Sequence, residues 1–90
     1  MNREKCLKAC LFRAQHRGSR EADMILGGFA ATQLTSLTDE DLDLFSKLLT
    51  HDDQDIFMWL QEKPDLNDTS LHDLLNAFIK KNYENLHYRG

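Results

Sequence analysis

The sequence predicts an all-α protein, a compact five-helix bundle in a single domain spanning residues 1–90, and three observations lead there. One proline and four glycines in 90 residues give too little punctuation for many strands. β-Branched aliphatics are scarce, since valine is absent and isoleucine stands only at 25, 56 and 79; leucine carries the apolar content, as helices prefer. Apolar residues also recur at spacings of three and four in successive segments set apart by glycine, capping residues or proline. The length suits one domain, and 41% hydrophobic with 29% charged residues is the balance of a chain that folds.

The first helix is predicted over about residues 3–16, where Leu7, Cys10, Leu11 and Ala14 form one apolar stripe. Gly18 stops it, because glycine accepts the left-handed conformation that ends helices. The second helix runs over about 20–34, with Leu26, Phe29, Ala30 and Leu34 inward and Met24 and Ile25 flanking. Gly27 and Gly28 weaken it by about 1 kcal/mol each relative to alanine, for the sake of either a close helix crossing or a kink. The third has the plainest start: Thr38 as N-cap, Asp41 at N3 as a short capping box, Leu37 and Leu42 as the hydrophobic staple. Asp39, Glu40 and Asp41 fill its first turn, where the helix dipole favours anions, and Leu42, Phe45, Leu48 and Leu49 face the core. The chain turns near His51, and Asp52 or Asp53 caps a fourth helix holding Ile56, Phe57, Trp59 and Leu60 until Pro64. After a loop at DLNDTS, a fifth helix begins near Ser70 and carries Leu71, Leu74, Leu75, Phe78 and Ile79. The first few residues and 83–90 are expected to fray.

The net charge of −4 hides an asymmetry: residues 1–21 carry +4 and residues 38–55 carry −6. Such a division orients a protein on a partner, or merely solvates two faces of the fold. The net sign weighs against a general nucleic-acid binder. No apolar run reaches the length of a membrane span, and the N-terminus lacks the apolar core of a secretory signal. Its basic amphipathic character is similar to a mitochondrial transit peptide, but it leads straight into a structural turn, so a reducing cytoplasm is the expected setting. Cys6 and Cys10, four apart on one helix face, read as small apolar residues, because a closed metal site needs about four ligands. His16, His51, His72 and His87 are scattered and read as surface or capping residues. Trp59 reads as core, with a half-exposed recognition anchor as the alternative. With no nucleotide loop, nucleophile–base pair or metal cluster in the pattern, the chain is expected to bind rather than catalyse.

The turn RGSRE at 17–21 is overcharged for its length. Arg17 and Glu21, four apart, are placed to pair across a helix start, yet an exposed pair contributes only about 0.2–1 kcal/mol. Arg17, Arg20 and Glu21 therefore read as a contact surface, since guanidinium groups bind carboxylates and phosphates with fork geometry. The free N–H groups opening the second helix add an anion-friendly end.

The order RGSREAD, then LTDEDLDLFSKLL, then HDDQDIFMWL, then KP and a last amphipathic helix, resembles the succinate dehydrogenase flavinylation factor family over about residues 7–82. Its members are small five-helix proteins with an RGxxE motif and a later DDxDLFxWL segment. The resemblance implies an assembly factor that binds the immature flavoprotein subunit of succinate dehydrogenase, and in bacteria of fumarate reductase, and favours covalent attachment of FAD to a histidine of that subunit. The bond-forming chemistry would be the flavoprotein's own. It implies no tightly bound cofactor, with FAD contacted at most transiently, no membrane insertion, and a bacterial cytoplasmic or mitochondrial matrix setting. Carried over residue by residue, the partner-binding positions are Arg17, Gly18 and Glu21, with Arg20 and Asp23 beside them, and Asp52, Asp53, Asp55 and Trp59 in the second segment; Phe57 also matches there. Gln54 stands where proline is common, Ile56 replaces leucine, and Gly27–Gly28 replace bulkier residues. A monomer is expected. The alternatives are a helix-turn-helix DNA-binding regulator, which two helices around a glycine turn resemble superficially, and an antitoxin-like role.

Overall fold

The computed structural model describes residues 2–63 and 69–83, which form five helices with no strand among them. Helix α1, Arg3–Gln15, starts at Asn2, whose side chain accepts from the Lys5 amide at 3.2 Å. Helix α2 is continuous but not uniform: an α-helical turn Arg20–Ala22, a π-helical turn Asp23–Gly27, and α-helix again over Gly28–Gln33, closed by a 3₁₀ turn Leu34–Ser36. Helix α3 is Asp39–Leu48, α4 is Asp53–Gln61 and α5 is Thr69–Asn82. Pro64 and the 84–90 tail lie outside the described residues, and α4 has ended at Gln61 before that proline.

The core takes residues from every helix. Cys10 and Ala14 of α1, Ile25, Leu26 and Phe29 of α2, Leu42 and Phe45 of α3, Ile56 of α4, and Leu71 and Leu75 of α5 are shut away from solvent. Each large side chain so buried contributes about 1.5–3 kcal/mol. Phe29 lies centrally, its ring 5.6 Å from Phe45 and 5.8 Å from Phe78.

Helix α2 departs from expectation in an instructive way. Ile25, expected at the flank, is fully buried, and Ile25, Leu26 and Gly27 are buried in succession. A wider π turn shifts the angular register, so three neighbours share the inward side where a regular helix would rotate one of them out. The two glycines serve close approach. A Cβ on Gly27 would stand 3.3 Å from the Ala14 carbonyl and 3.3 Å from the Gln15 Cα, while one on Gly28 would meet Phe78 Cζ at 3.1 Å. Helix α1 therefore crosses α2 at the Gly27 backbone.

Capping follows the sequence with one change. The Thr38 hydroxyl accepts from the Asp41 amide at 3.1 Å, and Leu37 and Leu42 are both buried. The Asp41 carboxylate, however, is buried and accepts from the Ser70 hydroxyl at 2.8 Å, so it ties α3 to the first turn of α5. Asp52, not Asp53, is the N-cap of α4, accepting from the Asp55 amide at 2.9 Å. At the chain start, Arg3 pairs with Asp39 at 2.5 Å and donates to the Leu37 carbonyl at 2.7 Å, which holds residues expected to fray. Tyr83 packs back likewise, its hydroxyl donating to the Met24 carbonyl at 3.3 Å.

One single-residue expectation is corrected. His72 is buried rather than superficial: Nε2 donates to the Trp59 carbonyl at 3.0 Å and Nδ1 faces Asn76 Nδ2 at 3.2 Å. Phe12, for which the sequence reading made no assignment, is 63% exposed and stacked on His16 at 4.2 Å.

Candidate functional site

The RGSRE turn joins α1 to α2. His16 ends α1, Gly18 has φ of 100°, and Ser19 is extended and caps α2 by accepting from the Ala22 amide at 3.3 Å. Gly18 is required on conformational grounds, because side chains with a Cβ rarely adopt that backbone. A Cβ there would meet nothing within 4 Å, so its outer side is open. Asp23 reaches back from α2 and accepts from the Arg17 amide at 2.6 Å, which fixes the path of the turn from within.

The Arg17 side chain points inward across the fold and is 10% exposed. Nε donates to Asp53 Oδ1 at 2.9 Å, Nη1 donates to the Leu49 carbonyl at 2.5 Å, and Nη2 donates to the His51 carbonyl. The two carbonyls belong to the unwinding end of α3, where helix carbonyls lack internal partners and a cation is favoured by the dipole. Asp53 is the first residue of α4, where the dipole favours an anion. Its second oxygen accepts from the Ser19 hydroxyl at 2.9 Å. One guanidinium and one carboxylate thus lock the α1–α2 corner to the α3–α4 corner.

The expected Arg17–Glu21 pair is therefore not formed. Asp53 takes the arginine instead, because the turn aims Arg17 at the α3–α4 corner while Glu21 rides on the outer side of α2. Arg20 and Glu21 are exposed, and neither forms an ion pair or side-chain hydrogen bond with another described residue. The carried-over residues separate into three groups. Arg17, Gly18, Asp23 and Asp53 converge at the lock, Arg20 and Glu21 flank it on the surface, and Asp52, Asp55 and Trp59 belong to the α3–α4 face. Ser19 was missed by the sequence reading although it both joins the lock at Asp53 and caps α2; its position just before a helical run was the available signal, since serine is a preferred N-cap.

Part of the charge asymmetry is settled internally. Arg3–Asp39 and Arg17–Asp53 each join the basic segment to the acidic one. Cys6 and Cys10 share a face with sulfurs 3.9 Å apart, and burial, with the Cys6 thiol beside it, raises the Cys10 thiol above its ordinary value. Among the described residues no three histidine, cysteine or acidic side chains are grouped to hold a metal ion. Among them, too, no helix is long and apolar enough to cross a membrane. Helix α2 offers few side chains to base edges: Ala22, Ile25, Leu26, Phe29 and Ala30 are in the core, and its exposed residues through Gln33 are Arg20, Glu21, Ala31 and Thr32.

Comparison with known proteins agrees with the sequence resemblance. The family model described as flavinator of succinate dehydrogenase matches residues 8–82. The chain is 40% identical over 63 residues, 69% of its length, to the mitochondrial succinate dehydrogenase assembly factor 2 of Mycosarcoma maydis, of which the match covers 26%. It is 36% identical over 63 residues to the Dictyostelium discoideum protein of that name, covering 70% of this chain and 45% of the relative. To the FAD assembly factor SdhE of Yersinia pseudotuberculosis it is 32% identical over 75 residues, covering 83% of this chain and 85% of the relative. The match thus spans less than half of these two mitochondrial relatives and most of the bacterial one. No solved structure matches.

Proposed function

This chain belongs to the flavinator of succinate dehydrogenase family, and from that premise we propose that it is a non-catalytic assembly factor which binds the immature flavoprotein subunit of succinate dehydrogenase and promotes covalent attachment of FAD. The flavoprotein subunit of fumarate reductase is a second client of the same kind. Attachment proceeds by the flavoprotein's own chemistry. The assembly factor shifts the client toward the competent arrangement by binding that arrangement more tightly than others. FAD contact with the factor is transient, the factor acts as a monomer, and its setting is the bacterial cytoplasm or the mitochondrial matrix.

The observation that supports this reading is the division of labour within RGSRE. Arg17 fixes the turn from behind, Gly18 leaves its outer side open, and Arg20 and Glu21 are exposed there without an ion pair or side-chain hydrogen bond to another described residue. A surface preorganised in this way spends little binding energy on ordering itself.

The test combines purified protein, apo flavoprotein subunit and FAD, with covalent flavin followed by in-gel fluorescence. Acceleration by the wild-type protein is expected. Glu21→Ala and Arg20→Ala should weaken it while leaving thermal stability within about 0.5 kcal/mol, the range of ordinary surface changes. No acceleration by the wild-type protein would overturn the function. Wild-type activity in both variants would overturn the assignment of this surface.

A further inference from the structure

A groove of about 410 Å³ opens between α3 and α4, lined by Leu44, Lys47, Leu48, His51, Asp55 and Trp59. Its apolar wall is fixed. The Trp59 indole meets the His72 ring edge-on at 4.9 Å, and that imidazole is itself anchored on the Trp59 carbonyl. Leu44 and Trp59 pack on the core but remain only half-buried, so the groove keeps apolar surface in reach of solvent. Its rim charge is one-sided. Lys47 pairs with Asp43 at 3.0 Å along α3, and Asp53 is taken by Arg17. Asp55 on the groove and Asp52 before it are exposed, and neither has a cationic partner among the described residues.

We propose that this groove docks a protein segment in which one apolar anchor side chain is flanked by lysine or arginine. The inference rests on the function proposed above, and the segment belongs to the flavoprotein subunit. The acidic rim selects the flanking charges, and the rigid indole wall selects the anchor. The volume alone suits a small molecule equally well, but a dinucleotide such as FAD would bring its phosphates against Asp52 and Asp55. A second copy offers a matching anchor in Phe12, exposed between Lys8 and Arg13. That contact, whether reciprocal in a closed pair or repeated head-to-tail, would make the protein associate with itself, and a concentration-dependent shift without partner reads it.

Trp59 is the single tryptophan of the chain, so it reports on the groove directly. The protein is labelled with 5-fluorotryptophan, and its one ¹⁹F resonance is followed while unlabelled apo flavoprotein subunit is added. The resonance should move and saturate at one equivalent. Asp55→Lys should weaken binding about tenfold, with Asp55→Asn between it and wild type, and the difference should shrink at high salt. Leu44→Arg should weaken binding at least as much, with far-UV circular dichroism confirming that each variant is folded. If the flavoprotein binds and is flavinylated faster while the resonance stays still and the three variants bind like wild type, the groove is not the docking site and the assembly function stands. Failure of the flavoprotein to bind at all overturns both. A shift produced by FAD alone, or a concentration-dependent shift without partner that Phe12→Ser removes, assigns the groove to another occupant and overturns the inference.

Discussion

Replacing Arg17 with alanine should damage the fold before it damages any interface. The side chain is almost enclosed and makes three charge-assisted contacts, to Asp53, to the Leu49 carbonyl and to the His51 carbonyl. Breaking a buried pair by removing one partner costs about 3–5 kcal/mol. Asp53 is 23% exposed and keeps its bond from Ser19, so water and that hydroxyl recover part of the loss. A cost of about 2–4 kcal/mol follows once the pair is discounted for this access. In a domain of this size that lowers the melting temperature by roughly 10–25 °C. Urea unfolding followed by circular dichroism measures it, with Arg17→Lys as a companion. Lysine keeps the charge but lacks the fork that spans Nε, Nη1 and Nη2, so it should recover less than half of the loss. A double-mutant cycle with Asp53→Asn should give a coupling near 1–2 kcal/mol, smaller than the cost of Arg17→Ala because the two carbonyl bonds do not involve Asp53. A cost for Arg17→Ala below about 1 kcal/mol, or a coupling near zero, would refute the lock.

Gly27→Ala should destabilise by about 1 kcal/mol even though alanine is the better helix former, because the new methyl presses on the α1 backbone. Gly28→Ala meets the outer ends of the Phe78 and Tyr83 side chains and should cost less; chemical denaturation orders the two, and the reverse order would contradict the crossing. Thr38→Ala should cost about 1 kcal/mol in the same assay through loss of the α3 cap. Cys10 should resist iodoacetamide at neutral pH in the folded protein while Cys6 reacts, read by mass spectrometry, since burial disfavours the Cys10 thiolate. The raised thiol also has a pH consequence. The folded state holds that proton longer than the unfolded state, so its stabilising contribution is complete below the ordinary thiol pKa and falls as pH rises through the folded value. Cys10→Ala should flatten that alkaline decline in unfolding titrations.

What the sequence disclosed follows the range of the interactions concerned. The caps at Thr38 and Asp52 involve partners three residues away, so a local pattern identifies the first and narrows the second to two neighbours. The helices themselves follow from spacing, which is also local. The burial of Ile25 was hidden because a regular helical period was assumed across a π turn. For Gly27 the sequence left a close crossing and a kink both open, because the backbone that decides between them lies on α1, a different helix. His72 read as a surface residue because its anchoring carbonyl, on Trp59, lies on the preceding helix.

Arg17 is the instructive case. Its spacing to Glu21 offered a local ion pair, and the weakness of such a pair then argued for a contact surface. The actual partner, Asp53, is 36 residues away, as Asp39 is from Arg3. The opposing charges of the two segments were the available sign of this pairing, and they were read as orienting a partner or solvating two faces because no local rule connects residues so far apart. Within one short motif, Arg17 is committed to the fold, whereas Glu21 is exposed and has no ion pair or side-chain hydrogen bond to another described residue. An assay that mutates both together mixes a loss of stability with a loss of contact. Arg20 and Glu21, changed singly in a protein whose stability is measured, report whether the outer face of the turn is a contact surface.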